Sequence, residues 1–417
     1  MRELFFIRDN LANKISYYHV LLLMASLPFD RFYSHLILIS LIVHTLIHVK
    51  KETVKPVFNL RMLMLVSVLL ITIVSTIYSV NRADAYNEWS KQITILLFPL
   101  VFCLTGLDLR KYRDSLLIAF SLVCTATVAY LYLSAIGSVR YYGLPFSALF
   151  SYAFTNHNFA SPIDMHATYL SMQLAIALVC LLSVLIKERV LYHRLFYLVC
   201  IALLSAGLFQ LGVKSVCFCL LLIVITAVPW FLLQGPARWK FMLVTASIFL
   251  LSLLIVVKQR TFRERYVNDL LLDLSKTSTG QVEDPRVARW YAAAGLVAKA
   301  PVIGYGAGSE IAQLRPLFFE KKFYNSYLHR LNAHNQYLSF LLKSGIVGLL
   351  VYLVTLIAGF RLALRRKDLL FFLFMVLIAF VSASENILDV DKGIIFYAFF
   401  FSFFVYTSDR SVETVKI

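Results

Sequence analysis

The 417-residue chain reads as an all-α polytopic membrane protein, and three observations predict it. Hydrophobic residues make up 60% of the chain and mean hydropathy is +0.76, more apolar side chain than a soluble protein of this length buries. Apolar runs near the ~20 residues that cross a bilayer recur from end to end. Lys and Arg concentrate in alternate loops, as the positive-inside rule requires. The net charge of +17 therefore belongs to membrane topology, and there is no soluble basic domain to bind nucleic acid.

Taken in order, the apolar runs predict about twelve transmembrane helices, at 16–29, 33–49, 61–80, 92–108, 115–137, 166–186, 194–212, 214–233, 240–257, 342–362, 369–384 and 393–407. The first run has no small-residue cleavage site after it and reads as a retained helix. With the N-terminus in the cytoplasm, the inner loops hold Arg2, Arg8 and Lys14, Lys50, Lys51, Lys55 and Arg61, and Arg110, Lys111 and Arg113. Further inner charges are Lys187, Arg189 and Arg194, Arg238 and Lys240, and Arg361, Arg365, Arg366 and Lys367. Both termini are then cytoplasmic and the long segment 258–341 lies on the far side of the membrane. One integrated membrane domain results: helices 1–9 in 1–257, a helical loop in 258–341, and helices 10–12 with a cytoplasmic tail in 342–417. The cysteines Cys103, Cys124, Cys180, Cys200, Cys217 and Cys219 all fall in apolar runs, as small core residues do.

Within the long loop, 260–274 has apolar residues at helical spacing behind a basic leading face, the pattern of a helix lying along the interface. Residues 287–300 are Ala-rich and helical, and Pro301 ends that helix. The loop's many basic residues do nothing for insertion. They suit an anionic partner such as a lipid pyrophosphate, the plainer reading being a solvated face near lipid head groups.

The chemistry concentrates in 284–350. Arg286 and Trp290 are four apart and share a helix face, and the arginine fork suits a diphosphate. Arg289 points to an adjacent face. The GYGAG turn, 304–308, lacks the strand of a dinucleotide fingerprint and reads as a close approach of backbone, with amide donation to a phosphate as the alternative. His334-Asn335 opens a helix at the membrane edge, where an imidazole suits general-base work; a capping histidine is the plainer reading. His157, Asp164 and His166 form a poor ligand set, so no metal is expected, and His166, at a helix start, is a candidate substrate contact. Lys214 opens the eighth helix, where it snorkels or meets an anion. Glu385, Asp389 and Asp391 occupy the last outer loop, as solvated residues, sugar contacts or, for all three, rival bases.

Arg286-x-x-x-Trp290, Pro301, the Gly304/Gly306 turn, His334-Asn335 and Gly345-Ile346-x-Gly348 together resemble the O-antigen ligase and polymerase superfamily. The resemblance implies a GT-C-type fold in the bacterial inner membrane with a periplasmic catalytic loop between helices 9 and 10. It also implies a metal-independent glycosyltransferase without cofactor, taking its glycan from an undecaprenyl-diphosphate-linked donor. Arg286 and His334 match the family's diphosphate arginine and candidate base. Lys214 falls where the family has a further arginine, keeping the charge without the bidentate fork. Arg265-Tyr266 resembles a basic-aromatic pair of the ligases. Donor contacts are thus expected from Lys214, Arg289, Arg265 and Trp290, and acceptor or sugar contacts from His166, Asn335 and Glu385. The preferred reaction is ligation of O-antigen onto lipid A-core. The alternatives are a glycan polymerase, a protein O-oligosaccharyltransferase and, from another class, a lipid-linked glycan transporter, which would favour a polar site at mid-membrane.

Overall fold

The computed structural model describes residues 6–49, 54, 57, 59–258, 263–268, 271 and 284–408. All regular structure among them is helical. In chain order the main helices are α1 (Leu11–Ser26), α2 (Arg31–Ile47), α3 (Leu60–Thr76), α4 (Arg82–Gln92), α5 (Thr94–Leu104), α6 (Leu109–Tyr141), α7 (Ala167–Lys187) and α8 (Leu191–Leu211). They continue as α9 (Lys214–Leu232), α10 (Gly235–Lys258), α11 (Arg286–Val297), α12 (Glu310–Glu320), α13 (Tyr324–Leu328), α14 (Gln336–Arg365), α15 (Leu369–Val381) and α16 (Asp391–Thr407).

Each apolar run of the sequence falls on one of these helices, and five of them, α6, α7, α8, α9 and α14, are long and apolar enough to cross a membrane. Of the others, α10 has 24 residues but is not among those five, while α2 and α3 have 17 residues each and α15 has 13, so among the described residues helix length does not carry a count of twelve crossings. The expected interfacial helix 260–274 lies mostly outside the described residues; its visible part is a turn at Glu264–Asn268.

Two helices form the core, and their sequences say why. Every residue of α7 from 167 to 181 is buried, as is every residue of α16 from 393 to 405. Both runs are apolar on nearly all sides, so no face of either helix has to be turned to water. α7 packs against α6, α8, α9 and α15, while α16, with its run of phenylalanines, packs on α5, α6 and α15. Phe396, Phe400 and Phe404 ladder along α16 at one-turn spacing and meet Phe374 of α15 at 5.8, 6.3 and 5.8 Å between ring centres. Two buried amides bond to backbone: the Gln173 amide donates to Leu27 O, and the Gln210 amide donates to Leu149 O and Phe154 O.

The two ends of α15 mark the two faces of the bundle. At its start, both carboxylate oxygens of Asp368 accept from Arg113 Nη2, at 2.7 and 2.8 Å. At its finish the chain runs through Ser384 and Glu385 into a short turn, Ile387–Asp389, and on to α16. That second face receives α11, α12 and α13. They form a small cap whose own core is Ala292, Ala293, Leu296, Leu314, Phe318, Ala333 and Leu342.

Candidate active site

The cap is stitched to the membrane helices through glycines. Tyr305 N–H and Gly306 N–H donate to Leu342 O and Lys343 O at 2.8 Å each, and Ala307 N–H reaches Ser75 O, in the last turn of α3, at 3.3 Å. A β-carbon on Gly306 (φ +91°) would lie 2.2 Å from Ser79 Cα, and one on Gly345 (φ +61°) 2.2 Å from Val302 C. Only glycine fits at such a crossing. The turn is therefore the close backbone approach, and these amides go to backbone carbonyls rather than to a phosphate.

Around His334 the geometry is tightly determined. Arg289 is buried, and its Nη1 donates to Asn332 O at 3.3 Å; Trp290 Nε1–H donates to Ala333 O at 2.9 Å. One helix thus grips the two carbonyls before His334. Asn332 Oδ1 accepts from His334 N–H (2.9 Å), whose φ of +48° is a left-handed conformation that a non-glycine residue holds only when its surroundings impose it. Asn335 then caps α14, its Oδ1 accepting from Tyr337 N–H and Leu338 N–H at 3.0 and 3.1 Å. Asn335 N–H donates to Asn386 Oδ1 (2.7 Å), and Gln336 N–H to Ser382 O (2.7 Å).

These bonds lay the His334 segment beside the loop after α15 and bring His334 Nδ1 within 3.1 Å of Glu385 Oε2. The other oxygen, Oε1, faces Arg286 Nη2 at 3.5 Å, and Arg286 Nη1 donates to Ser384 O at 2.8 Å. Burial pushes the Glu385 carboxyl up. The His334 hydrogen bond, and then the charge of Arg286, outweigh that and hold it at about 2. An ionised carboxylate only accepts, so the Nδ1 nitrogen carries the proton and the lone pair of neutral His334 sits on Nε2. Among the described residues Nε2 has no hydrogen-bond partner, and the side chain is 27% exposed.

Behind this pair lies a buried charged cluster. Lys343 Nζ donates to Glu88 Oε1 of α4 and to Asp389 Oδ1, both at 2.8 Å, with Glu310 Oε2 at 3.7 Å. Glu310 Oε1 accepts from Ala333 N–H at 2.9 Å, and Asn386 Nδ2 donates to Glu310 Oε2 (3.1 Å) and Asp389 Oδ2 (2.8 Å). Glu88 Oε2 takes the Gly308 amide at 2.6 Å. The neighbours of His334 and of Glu385 are therefore anchored to one shared carboxylate, Glu310.

The stretch that supplies most of these groups is recognisable. Residues 210–353 match the family model described as O-antigen ligase. The chain carries an O-antigen ligase-like domain. The comparison with curated proteins found no match. Together with the apolar helices, the match describes a multi-pass membrane protein of the glycosyl-transferring, ligase or polymerase type. The matched region of the ligase-like domain includes Lys214, Arg286, Trp290, His334 and Lys343, whereas Glu88, His166 and Glu385 lie outside it.

The remaining expected residues fall at different places around the His334–Glu385 pair. His166 caps α7, its Nδ1 accepting from Thr168 N–H at 3.3 Å, and its ring meets His157 at 4.2 Å and Tyr169 at 5.2 Å. Burial, then the neighbouring His157, pushes His166 down to about 4, while the Glu385 charge opposes them. Asp164 Oδ2 lies 3.9 Å from Lys392 Nζ. Among the described residues no three His, Cys, Asp or Glu side chains are grouped to hold a metal. Lys214 starts α9 one helical turn before Phe218, whose ring meets Phe380 of α15 at 5.9 Å, so it stands beside the end of α15 that leads to Glu385. The Arg265 side chain lies outside the described residues; its neighbour Tyr266 stacks on Phe209 and donates to Phe209 O at 3.1 Å. Glu385 is a partner of His334 and Arg286 rather than a solvated loop residue, and the Lys343 cluster is a component that sequence reading passed over.

Proposed function

We propose that the chain is an inner-membrane glycosyltransferase that moves a glycan from undecaprenyl diphosphate onto an acceptor hydroxyl, with lipid A-core as the acceptor. The observation that carries this reading is the Glu385–His334 pair, which fixes one imidazole tautomer with its basic nitrogen outward. His334 Nε2 takes the proton of the acceptor hydroxyl as that oxygen attacks the anomeric carbon. The bond between the anomeric carbon and the diphosphate oxygen breaks, and polyprenyl diphosphate leaves with the electron pair. Diphosphate leaves readily, so positioning and charge stabilisation supply most of the rate. Arg286 and Lys214 provide that charge, while Arg289 and Trp290 hold the loop that presents His334. Arginine and lysine do here what a divalent ion does in other diphosphate sites.

The test uses the purified full-length protein in vesicles with an undecaprenyl-diphosphate-linked glycan and lipid A-core, in excess EDTA. The expected result is glycosylated lipid A-core, with His334→Ala slower by about two to four orders of magnitude. Longer lipid-linked glycan with untouched lipid A-core makes the protein a polymerase. Rescue by magnesium of activity lost in EDTA refutes metal independence, and normal turnover by His334→Ala removes the base.

A further inference from the structure

Helix α4 has two working faces. On its inner face Ala85 and Gln92 are buried and Glu88 is mostly so: Glu88 binds Lys343 and the Gly308 amide, and the Gln92 amide donates to Leu388 O at 3.0 Å. Its outer face carries Arg82, Tyr86 and Trp89, spaced four and three apart and so on one side of the helix. These three stand over Ile73, Thr76 and Ile77 of the last turn of α3 and its C-cap, enclosing an open groove of about 340 Å³. That volume falls within the ~300–1,000 Å³ of small-ligand clefts. The Tyr86 and Trp89 rings meet edge-on at 6.2 Å.

The chemistry of the groove is one-sided. The Arg82 guanidinium and the Trp89 indole N–H only donate, and the Tyr86 hydroxyl is able to. Among the described residues none of the three side chains has a hydrogen-bond or ion-pair partner. Asp84, the nearest acidic residue on the helix, is occupied by Asn81 Nδ2–H at 2.6 Å. The only hydroxyl on the α3 wall, Thr76 Oγ1, is turned back to Thr72 O. The wall below is otherwise isoleucine at the end of the apolar helix α3, on the face that carries His334, since the residues after α3 bond to the glycine turn. Donors above an apolar wall at a membrane surface complement a ligand with anionic oxygens above and hydrocarbon below.

We infer that this groove is a binding site for a phospholipid of the leaflet on the His334 face. The phosphodiester meets Arg82, with Tyr86 and Trp89 adding hydrogen bonds, and an acyl chain lies along Ile73 and Ile77. The site is separate from the transfer reaction and holds whether or not that reaction is the one proposed. Free phosphate would satisfy the donors but leave the isoleucine wall uncovered, which favours the lipid.

The experiment is native mass spectrometry of the full-length protein released from detergent, titrated with phosphatidylglycerol and, in parallel, with diacylglycerol of the same chains. Wild type is expected to retain phosphatidylglycerol in preference to diacylglycerol. Arg82→Gln should weaken that retention about tenfold, the size of one charge-assisted contact. Trp89→Phe, which keeps the ring and loses the donor, should weaken it less. Thermal melts of each variant matching wild type confirm that folding is not what changed; if Arg82→Gln melts early, Tyr86→Phe replaces it as the test of the donor set. Equal retention by Arg82→Gln and wild type overturns the proposal, as does equal binding of diacylglycerol. Displacement of the lipid by millimolar inorganic phosphate also overturns it, by making the groove a simple anion site.

Discussion

Replacing Glu385 with glutamine isolates the contribution of the carboxylate to His334. Glutamine keeps the size and an acceptor oxygen but loses the charge, and its amide end offers N–H where His334 or Arg286 presents N–H. Two contacts are hit: Nδ1 to Oε2 at 3.1 Å and Arg286 Nη2 to Oε1 at 3.5 Å. Hydrogen bonds to ionised groups contribute about 1.5–3 kcal/mol, more than neutral ones. If that energy holds the reactive tautomer and the charge that develops on His334 in the transition state, its loss slows turnover by about 10- to 150-fold. Binding of donor should change little, because Arg286 Nη1 keeps Ser384 O. The assay measures kcat and KM for glycan transfer by wild type, Glu385→Gln and His334→Ala in the same vesicles. A Glu385→Gln enzyme within twofold of wild type, beside an inactive His334→Ala, refutes the orienting role. Loss of activity in Glu385→Gln alone refutes His334 as base.

Three further outcomes are expected. Arg286→Lys should cut turnover at least tenfold with an unchanged melting curve, because an ammonium cannot hold Ser384 O, Glu385 and a diphosphate with one planar fork; near-normal turnover removes the diphosphate role. On acidification, His166 stays neutral in the fold down to about 4 while the unfolded chain takes up its proton near 6.5, so stability falls between pH 6.5 and 4; Glu385, held at about 2 against an ordinary 4.5, adds a loss between 4.5 and 2. Melts of wild type and His166→Gln across pH 7 to 4 check this, the variant losing less. Gly306→Ala should cost on the order of 3 kcal/mol, from the positive φ and the clash with Ser79 Cα, read as a lower melting temperature or failure to accumulate.

The fold class was legible because apolar composition and run length are one-dimensional properties. Arg286, Trp290 and His334 were legible for a related reason: all lie on one short stretch where a polar group in a greasy chain stands out. The close approach at the glycine turn also followed from residue type. The partners of these residues did not. Glu385 lies 51 positions from His334, and Glu88 lies 255 from Lys343, so nothing local in the sequence joins them. One signal was available: a lysine amid the apolar residues of 337–350 is costly in a membrane helix unless paired, and Lys343 is paired with two carboxylates at 2.8 Å. Arg289 was read as a donor contact from its charge alone; its burial against Asn332 depends on how α11 packs, which spacing does not reveal.

The break at Gly345 has a mechanical consequence. There the backbone of α14 leaves helical geometry (φ 61°, ψ −158°), and the bonds it would have made inside the helix are exchanged with the cap. Leu342 O and Lys343 O accept from Tyr305 and Gly306, while Ile346 N–H and Val347 N–H donate to Pro301 O and Val302 O. This splice works like a universal joint with its own fasteners. The segment 336–344, which carries the capped end next to His334, is bolted to the cap rather than to the stem that follows it. Tilting of the stem in a bilayer of different thickness is then expected to be taken up at residue 345, while the distance between His334 and Glu385 is set by the cap together with the end of α15, where Gln336 N–H meets Ser382 O and Glu385 N–H meets Val381 O.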